Sequence, residues 1–253
     1  MSPQVTFFTN CWEGDWRYLL KTPRLQNMIE NNAYDFKEKI LCISNVDDIS
    51  LVKKQAEQLI KKKIITSYFV AQDYTQMALD FFKLTPAELK QSYKYSIPPL
   101  TSLYLCKTDY LLHHTGDVIL PQRTNWVSPS LKALGQNKKF VVANPVWDGK
   151  HDSVKSESFE ENDSFFIGFG FSDQYYLIKR DTFRQPIYNE WNDASSRYPD
   201  YGMWGFERRI DSWMRNHDFH RLTYKFASYR HDSFPKNIWK QRLEVFFGTR
   251  DER

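Results

Sequence analysis

The first seventy residues alternate short β-prone apolar runs with amphipathic helical stretches, and that alternation restricts the chain to an α/β fold. Residues 5–8 form a β-prone run ending at Thr9 and Asn10, both good turn and cap residues. Pro23 then opens a helix with Leu25, Met28 and Ile29 on one face and Asn31 and Asn32 as stop signals. Residues 40–44 are a second strand, Asp48 caps a helix with Ile49, Val52, Ala56 and Leu59 on one face, and residues 65–70 are a third strand. Right-handed crossovers between such strands imply parallel pairing.

Beyond this unit, Thr85-Pro86-Ala87-Glu88 is a capping-box start, and residues 110–114 and 118–120 read as strands broken by Thr115-Gly116-Asp117. Strand candidates at 140–143 and 175–178 are separated by a polar run, 148–163, that reads as a loop. A last helical pattern puts Phe206, Ile210, Trp213 and Met214 on one face and stops at Asn216. Lys61, Lys62 and Lys63 end the second helix, where cations suit the helix dipole.

At 253 residues the chain can bury roughly 70% of its unfolded surface without a disulfide or metal staple. Its net charge of +4, from 35 basic and 31 acidic residues spread along the chain, excludes a dedicated nucleic-acid surface. Cys11, Cys42 and Cys106 lack CxxC or CxxH spacing and read as reduced, buried thiols. Together with the lack of an apolar run near the roughly 18 residues of a membrane span, this predicts a soluble cytoplasmic chain, with a membrane-peripheral position as the alternative. The GxxxxGK[ST] phosphate loop is absent, which sets P-loop chemistry aside.

Open α/β sheets bind ligands at the carboxyl ends of their strands, which singles out Asp117 in YLLHHTGDVIL. A hard divalent cation, Mg²⁺ or Mn²⁺, needs one or two carboxylates and completes its shell with water and phosphate oxygens. Asp117 and one distant histidine, His231 in SYRHDSF, would suffice; taken alone, the tripeptide reads first as an ordinary turn. In YGMWGFERRID, Glu207 occupies the first helical turn and Asp211 the next, so either could serve as a general base beside an aromatic platform of Tyr201, Trp204 and Phe206. Asp211 is also spaced to pair with Arg215 at i+4. Asp173, in GFGFSDQYYLI, either binds acceptor hydroxyls or ends a turn of small residues. His113 and His114 fall inside a strand and face opposite sides of the sheet, and the histidines are too few and too scattered for a zinc site.

In this order the motifs resemble the GT-A fold glycosyltransferases, over roughly residues 4–232. The resemblance implies an α/β fold with a mixed, mainly parallel central sheet flanked by helices. It implies a single domain spanning 1–253, about 1–120 binding the nucleotide-sugar and about 121–253 the acceptor. The opening VTFFTNCWEGDWRYL is similar to the first strand and loop that hold the nucleotide, which would put Thr9, Asn10 and Trp12 near base and ribose, with Asn45 and Asp47 near the base. LLHHTGDVIL is similar to the strand that carries the family's DxD motif; Asp117 would be the surviving metal carboxylate, and Thr115 replaces the first Asp. MWGFERRID resembles the WGxED region that supplies the general base, with Glu207 ahead of Asp211 and Asp173, Trp204 and Phe206 toward the acceptor; His231 would match an additional metal ligand.

The implied activity is transfer of a hexose from a UDP- or GDP-sugar to the hydroxyl of a glycan, glycolipid or glycoprotein, assisted by Mn²⁺ or Mg²⁺, with no nucleic-acid partner. The alternatives are a catalytically silent sugar- or nucleotide-binding protein on the same fold, or another metal-dependent α/β enzyme such as a nucleotidyltransferase or nuclease.

Overall fold

A computed structural model describes residues 3–198, 204–235 and 237–248. Its first part follows the alternation in the sequence: β1 (Val5–Cys11), α1 (Trp16–Lys21), α2 (Arg24–Glu30), β2 (Glu38–Ile43), α3 (Ile49–Lys61), β3 (Ser67–Val70) and α4 (Ala71–Phe82). Then come α5 (Pro86–Leu89), α6 (Tyr93–Leu105), β4 (Tyr110–His114), β5 (Val118–Ile119), α7 (Val127–Gln136) and β6 (Phe140–Trp147). The remainder is α8 (His151–Glu157), β7 (Ser158–Glu161), β8 (Phe165–Gly168), β9 (Tyr175–Lys179), α9 (Arg180–Phe183), α10 (Phe206–Asn216), β10 (His220–His231) and α11 (Ile238–Phe247).

These strands join in one sheet of order β3-β2-β1-β4-β9-β6-β10-β8-β7, with β5 paired to β10. The sheet is mixed and mostly parallel: β5, β8 and β9 run against the other strands. Alternate residues of the central strands feed two cores. Phe7, Cys11, Leu41, Ile43 and Leu112 pack toward α1, α2, α3 and α7, while Phe8, Cys42, Leu111 and Ile178 pack toward α4, α6 and α10. Burial on both faces explains why these strands read as continuous apolar runs rather than as polar–apolar alternation.

Local signals hold where they rest on capping chemistry. The Asp48 side chain accepts the Leu51 N–H at 2.9 Å at the start of α3, and Thr85 and Glu88 form the reciprocal capping box of α5. Lys61 closes α3, and all three cysteines are buried free thiols. His113 and His114 do face opposite sides, against Phe8 and Phe7 respectively.

One reading changes, and two elements add what the sequence reading left open. The polar run 148–163 is not a loop throughout, since it forms α8 and the edge strand β7, whose backbone pairs with β8 without burying an apolar face. β9 is antiparallel, inserted between β4 and β6. The segment containing His220 and His231 is a twelve-residue strand, β10, and its register against β6 shifts between Tyr224 and Ser228. Beyond that bulge it turns to pair with β5, Val118 opposite His231.

Candidate functional site

The carboxyl ends of β1, β2 and β4 converge, and four hydrogen bonds shape the floor there. After β1, the Trp12 N–H donates to Asp15 Oδ1 at 2.8 Å, turning the chain into α1. From α2, buried Arg24 donates through Nε to the Gly116 carbonyl at 2.9 Å and through Nη1 to Asp232 at 3.0 Å. At Gly116 a Cβ would lie 2.5 Å from Leu19 Cδ1 and 2.9 Å from Asp15 Oδ2, so any larger residue would push the Leu19 and Asp15 side chains aside. The Asp232 N–H donates to the Asp117 carbonyl at 2.7 Å, completing the bridge begun by β5 and β10. His231 Nε2 consequently stands 3.3 Å from Asp117 Oδ2, although the two residues are distant in sequence.

Asp117 lies where two cavities share a wall with Tyr95, Asp173 and Gln174. The smaller, about 490 Å³, is bounded by Asn10, Trp12, Asn45, Pro98 and Thr115. The larger, about 730 Å³, contains His231, Phe206, Glu207, Arg197, Arg221 and Tyr229. Burial is the main cause that raises the Asp15 carboxyl well above the usual range; the charge of Asp117 adds to it and Arg24 opposes it.

Two acids of the larger cavity form a coupled pair. Burial, then the charge of Asp117, raises Asp173 to about 6; burial, then Asp173, raises Glu207 well above its ordinary value. The Asp173 backbone N–H and Arg197 draw Glu207 partway back. The opposite wall is cationic. Arg197 and Arg221 both approach Gly170, whose φ of +112° and absent side chain admit them, and they share Glu157 at 3.5 and 3.9 Å. The Arg221 Nε is buried with no hydrogen-bond partner among the described residues. Such a wall suits an anion carried by a ligand.

The buried histidines and this acid pair act oppositely on stability. Burial lowers both His113 and His114 to about 3, whereas the unfolded chain protonates them at about 6.5. Their contribution is present above about pH 6.5 and is lost as pH falls toward 3, at about 2.7 kcal/mol per pH unit for the two. Asp173 and Glu207 are raised in the folded chain, so their contribution is present below about pH 4 and is lost as pH rises, through about 6 for Asp173. An Asp173→Asn/Glu207→Gln double variant is therefore expected to lose stability more steeply than the native chain on acidification from pH 7 to 5. Denaturant titrations across that range measure the slope; equal slopes for both proteins would contradict it.

Most of the sequence-predicted residues meet here, and some do not. Asn10, Trp12, Asn45 and Thr115 line the smaller cavity, Asp117 and Asp173 line both, and Glu207, Phe206 and His231 line the larger. Thr9 lies buried within β1 and lines neither, because its side chain points into the sheet packing. Asp47 is exposed and meets the site only through its N–H, which donates to Glu13 Oε2 at 3.0 Å. Asp211 is fully buried away from both cavities, accepting from Ser195 Oγ at 2.5 Å and Arg215 Nε at 2.8 Å. Trp204 stands over a separate hollow of about 620 Å³ with Trp191 and Arg208, and Tyr201 lies outside the described residues.

Sequence reasoning missed Asp15, Arg24, Arg197, Arg221 and Tyr229. For Arg24, an arginine in the first turn of a predicted helix carries no local signal, because its partners lie 92 and 208 residues away.

No protein-family model and no curated protein matches the chain. Solved structures do. The chain is similar to glucosyl-3-phosphoglycerate synthase from Mycobacterium tuberculosis in complex with Mn²⁺, uridine diphosphate and glucosyl-3-phosphoglycerate, with a TM-score of 0.50 and 12% identity, covering 98% of this chain and 80% of that one. It is also similar to GalNAc-T7 with UDP, GalNAc and Mn²⁺ (TM-score 0.54, 9% identity, 92% and 44% covered). A third likeness is to TarS of S. aureus (TM-score 0.51, 9% identity, 98% and 40% covered). The fold is thus that of the GT-A glycosyltransferases.

Proposed function

We propose that this GT-A fold chain is a glycosyltransferase that moves a hexose from a nucleoside-diphosphate sugar, UDP- or GDP-linked, to an acceptor hydroxyl. One observation carries the reading: Asp117 and His231, 3.3 Å apart, stand where the two cavities meet, with Glu207 in the larger. Among the described residues no three His, Cys, Asp or Glu side chains gather as a metal cage, which disfavours nucleotidyl-transfer or nuclease chemistry built on clustered carboxylates. A carboxylate beside an imidazole nonetheless fits Mn²⁺ or Mg²⁺ when substrate phosphate oxygens and water complete the shell. Asp117 and His231 would hold that cation. Such a cation would supply positive charge to offset the charge of the diphosphate leaving group.

In this reading Asn10, Trp12, Asn45 and Thr115 hold the nucleotide in the smaller cavity. Glu207 accepts the proton of the attacking hydroxyl, its carboxylate oriented by the Asp173 N–H. Asp173 binds acceptor hydroxyls beside Phe206, and Arg197 with Arg221 receives an anionic group of the acceptor. The neighbouring synthase was solved with phosphoglyceric acid, which supports an acceptor of that charge. About 1–120 thus serves the donor and about 121–253 the acceptor, with Tyr95 of α6 reaching into both cavities.

Titration calorimetry with UDP and GDP, with and without Mn²⁺, tests the reading. One nucleotide is expected to bind more tightly with Mn²⁺, and Asp117→Ala is expected to abolish the metal dependence. Binding of neither nucleotide under either condition would refute it.

A further inference from the structure

Helix α11 is fastened to the protein by its polar side. Gln241 is 1% exposed; it accepts from Arg17 Nη1 at 3.3 Å and donates to the carbonyls of Gly14 at 3.1 Å and Pro235 at 2.7 Å. One turn on, Glu244 accepts from the Tyr18 hydroxyl at 2.7 Å. Both ends are defined: the Asn237 side chain accepts the Trp239 and Lys240 N–H groups, and Gly248, at φ +64°, ends the helix.

The outward side is apolar. Trp239, Leu243, Phe246 and Phe247 are 72%, 57%, 82% and 67% exposed, and at 3.6 residues per turn their spacing of i, i+4, i+7 and i+8 makes one stripe. Lys240 and Arg242, both exposed, fall on opposite edges of that stripe, while the helix's one acid, Glu244, is turned inward. A helix normally attaches by its apolar face and offers its polar face to water; this one does the reverse. A stripe of Trp, Phe and Leu bordered by cations is the pattern of a helix lying in the headgroup layer of a bilayer. Lys21 of α1 extends the cationic border, since Arg17 and Arg242 stand near enough to help burial lower its pKa. An anionic lipid surface relieves that crowding of like charge.

We propose that α11 is an interfacial helix that seats the protein on anionic lipid bilayers, with Trp239, Leu243, Phe246 and Phe247 entering the headgroup–acyl boundary and Lys240 and Arg242 meeting anionic headgroups. Among the described residues no helix is long and apolar enough to cross a membrane, so the attachment is peripheral. Because Gln241 grips Gly14, in the loop between Trp12 and Asp15 that borders the smaller cavity, seating α11 would fix the orientation of that loop relative to the bilayer.

Co-sedimentation of the full chain with phosphatidylcholine vesicles, with or without about a third phosphatidylglycerol, tests this independently of any transferase activity. The native chain is expected to sediment with the anionic vesicles, to blue-shift its tryptophan emission there, and to be released by salt near 1 M, where screening reaches about 3 Å. Phe246→Ser/Phe247→Ser is expected to weaken the partition by about tenfold or more, and Lys240→Ala/Arg242→Ala to weaken binding to the anionic vesicles alone, with unchanged melting temperatures because all four side chains are exposed. Failure of the native chain to sediment with anionic vesicles would overturn the proposal, as would partition that both variants retain. So would a native dimer that Phe246→Ser/Phe247→Ser converts to a monomer, which would assign the stripe to a second copy of the chain.

Discussion

Glu207→Gln is expected to lower the transfer rate by about 10²–10⁴ while leaving nucleotide binding and the melting temperature close to native. The amide keeps the size of the side chain but cannot accept the acceptor's proton. Its effect should appear in kcat, because proton removal belongs to the transition state and not to donor binding. In the native chain kcat/KM should rise with pH as the Asp173–Glu207 pair gives up its proton, since a base must be ionised to act. The variant should lack that rising limb. Steady-state assays across pH with calorimetry on the same preparations measure all three; a variant that retains native kcat would remove Glu207 from the chemistry.

The second large effect concerns Asp211, which the sequence pairs with Glu207 as a candidate base and the structure buries elsewhere. Asp211→Ala is expected to cost about 3–5 kcal/mol of stability, the range for breaking a buried ion pair from one side. The substitution leaves the Arg215 guanidinium, 18% exposed, and the buried Ser195 hydroxyl without their acceptor. Chemical denaturation reads the loss directly. A variant of native stability with abolished turnover would instead return Asp211 to the catalytic site.

These two acids mark the boundary of what is legible in the chain. Both sit near the start of one helical pattern, and periodicity puts Glu207 and Asp211 on the same face, i and i+4. Which of them meets a cavity depends on what surrounds α10: the i+4 spacing to Arg215 was legible, but Ser195, which donates to Asp211 from a segment without any pattern of its own, was not. The first half of the fold was readable because apolar strands and capped helices are local: Asp48 and Thr85 announce their helices within three residues. Asp117 could be singled out for the same reason, from a glycine turn after a buried strand. β10 also carried a local signal, with Leu222, Tyr224 and Phe226 alternating with polar residues, yet its bulge and its parallel pairing with β6 are set by the finished sheet. Arg24, Arg197 and Arg221 were invisible because their roles are defined by partners reached only through the fold.

The β5–β10 bridge ties the competence of the site to the completeness of the sheet. His231 meets Asp117 on a strand, β10, that also borders β6 and β8, so the pair belongs to the completed sheet. The pair therefore closes one of the chain's long loops, whose closure entropy the rest of the sheet must offset. A ligand that needs both side chains binds the finished sheet and not its early α/β half, so it draws the whole population toward the native state by mass action. Recognition at this site doubles as a readout of completed folding.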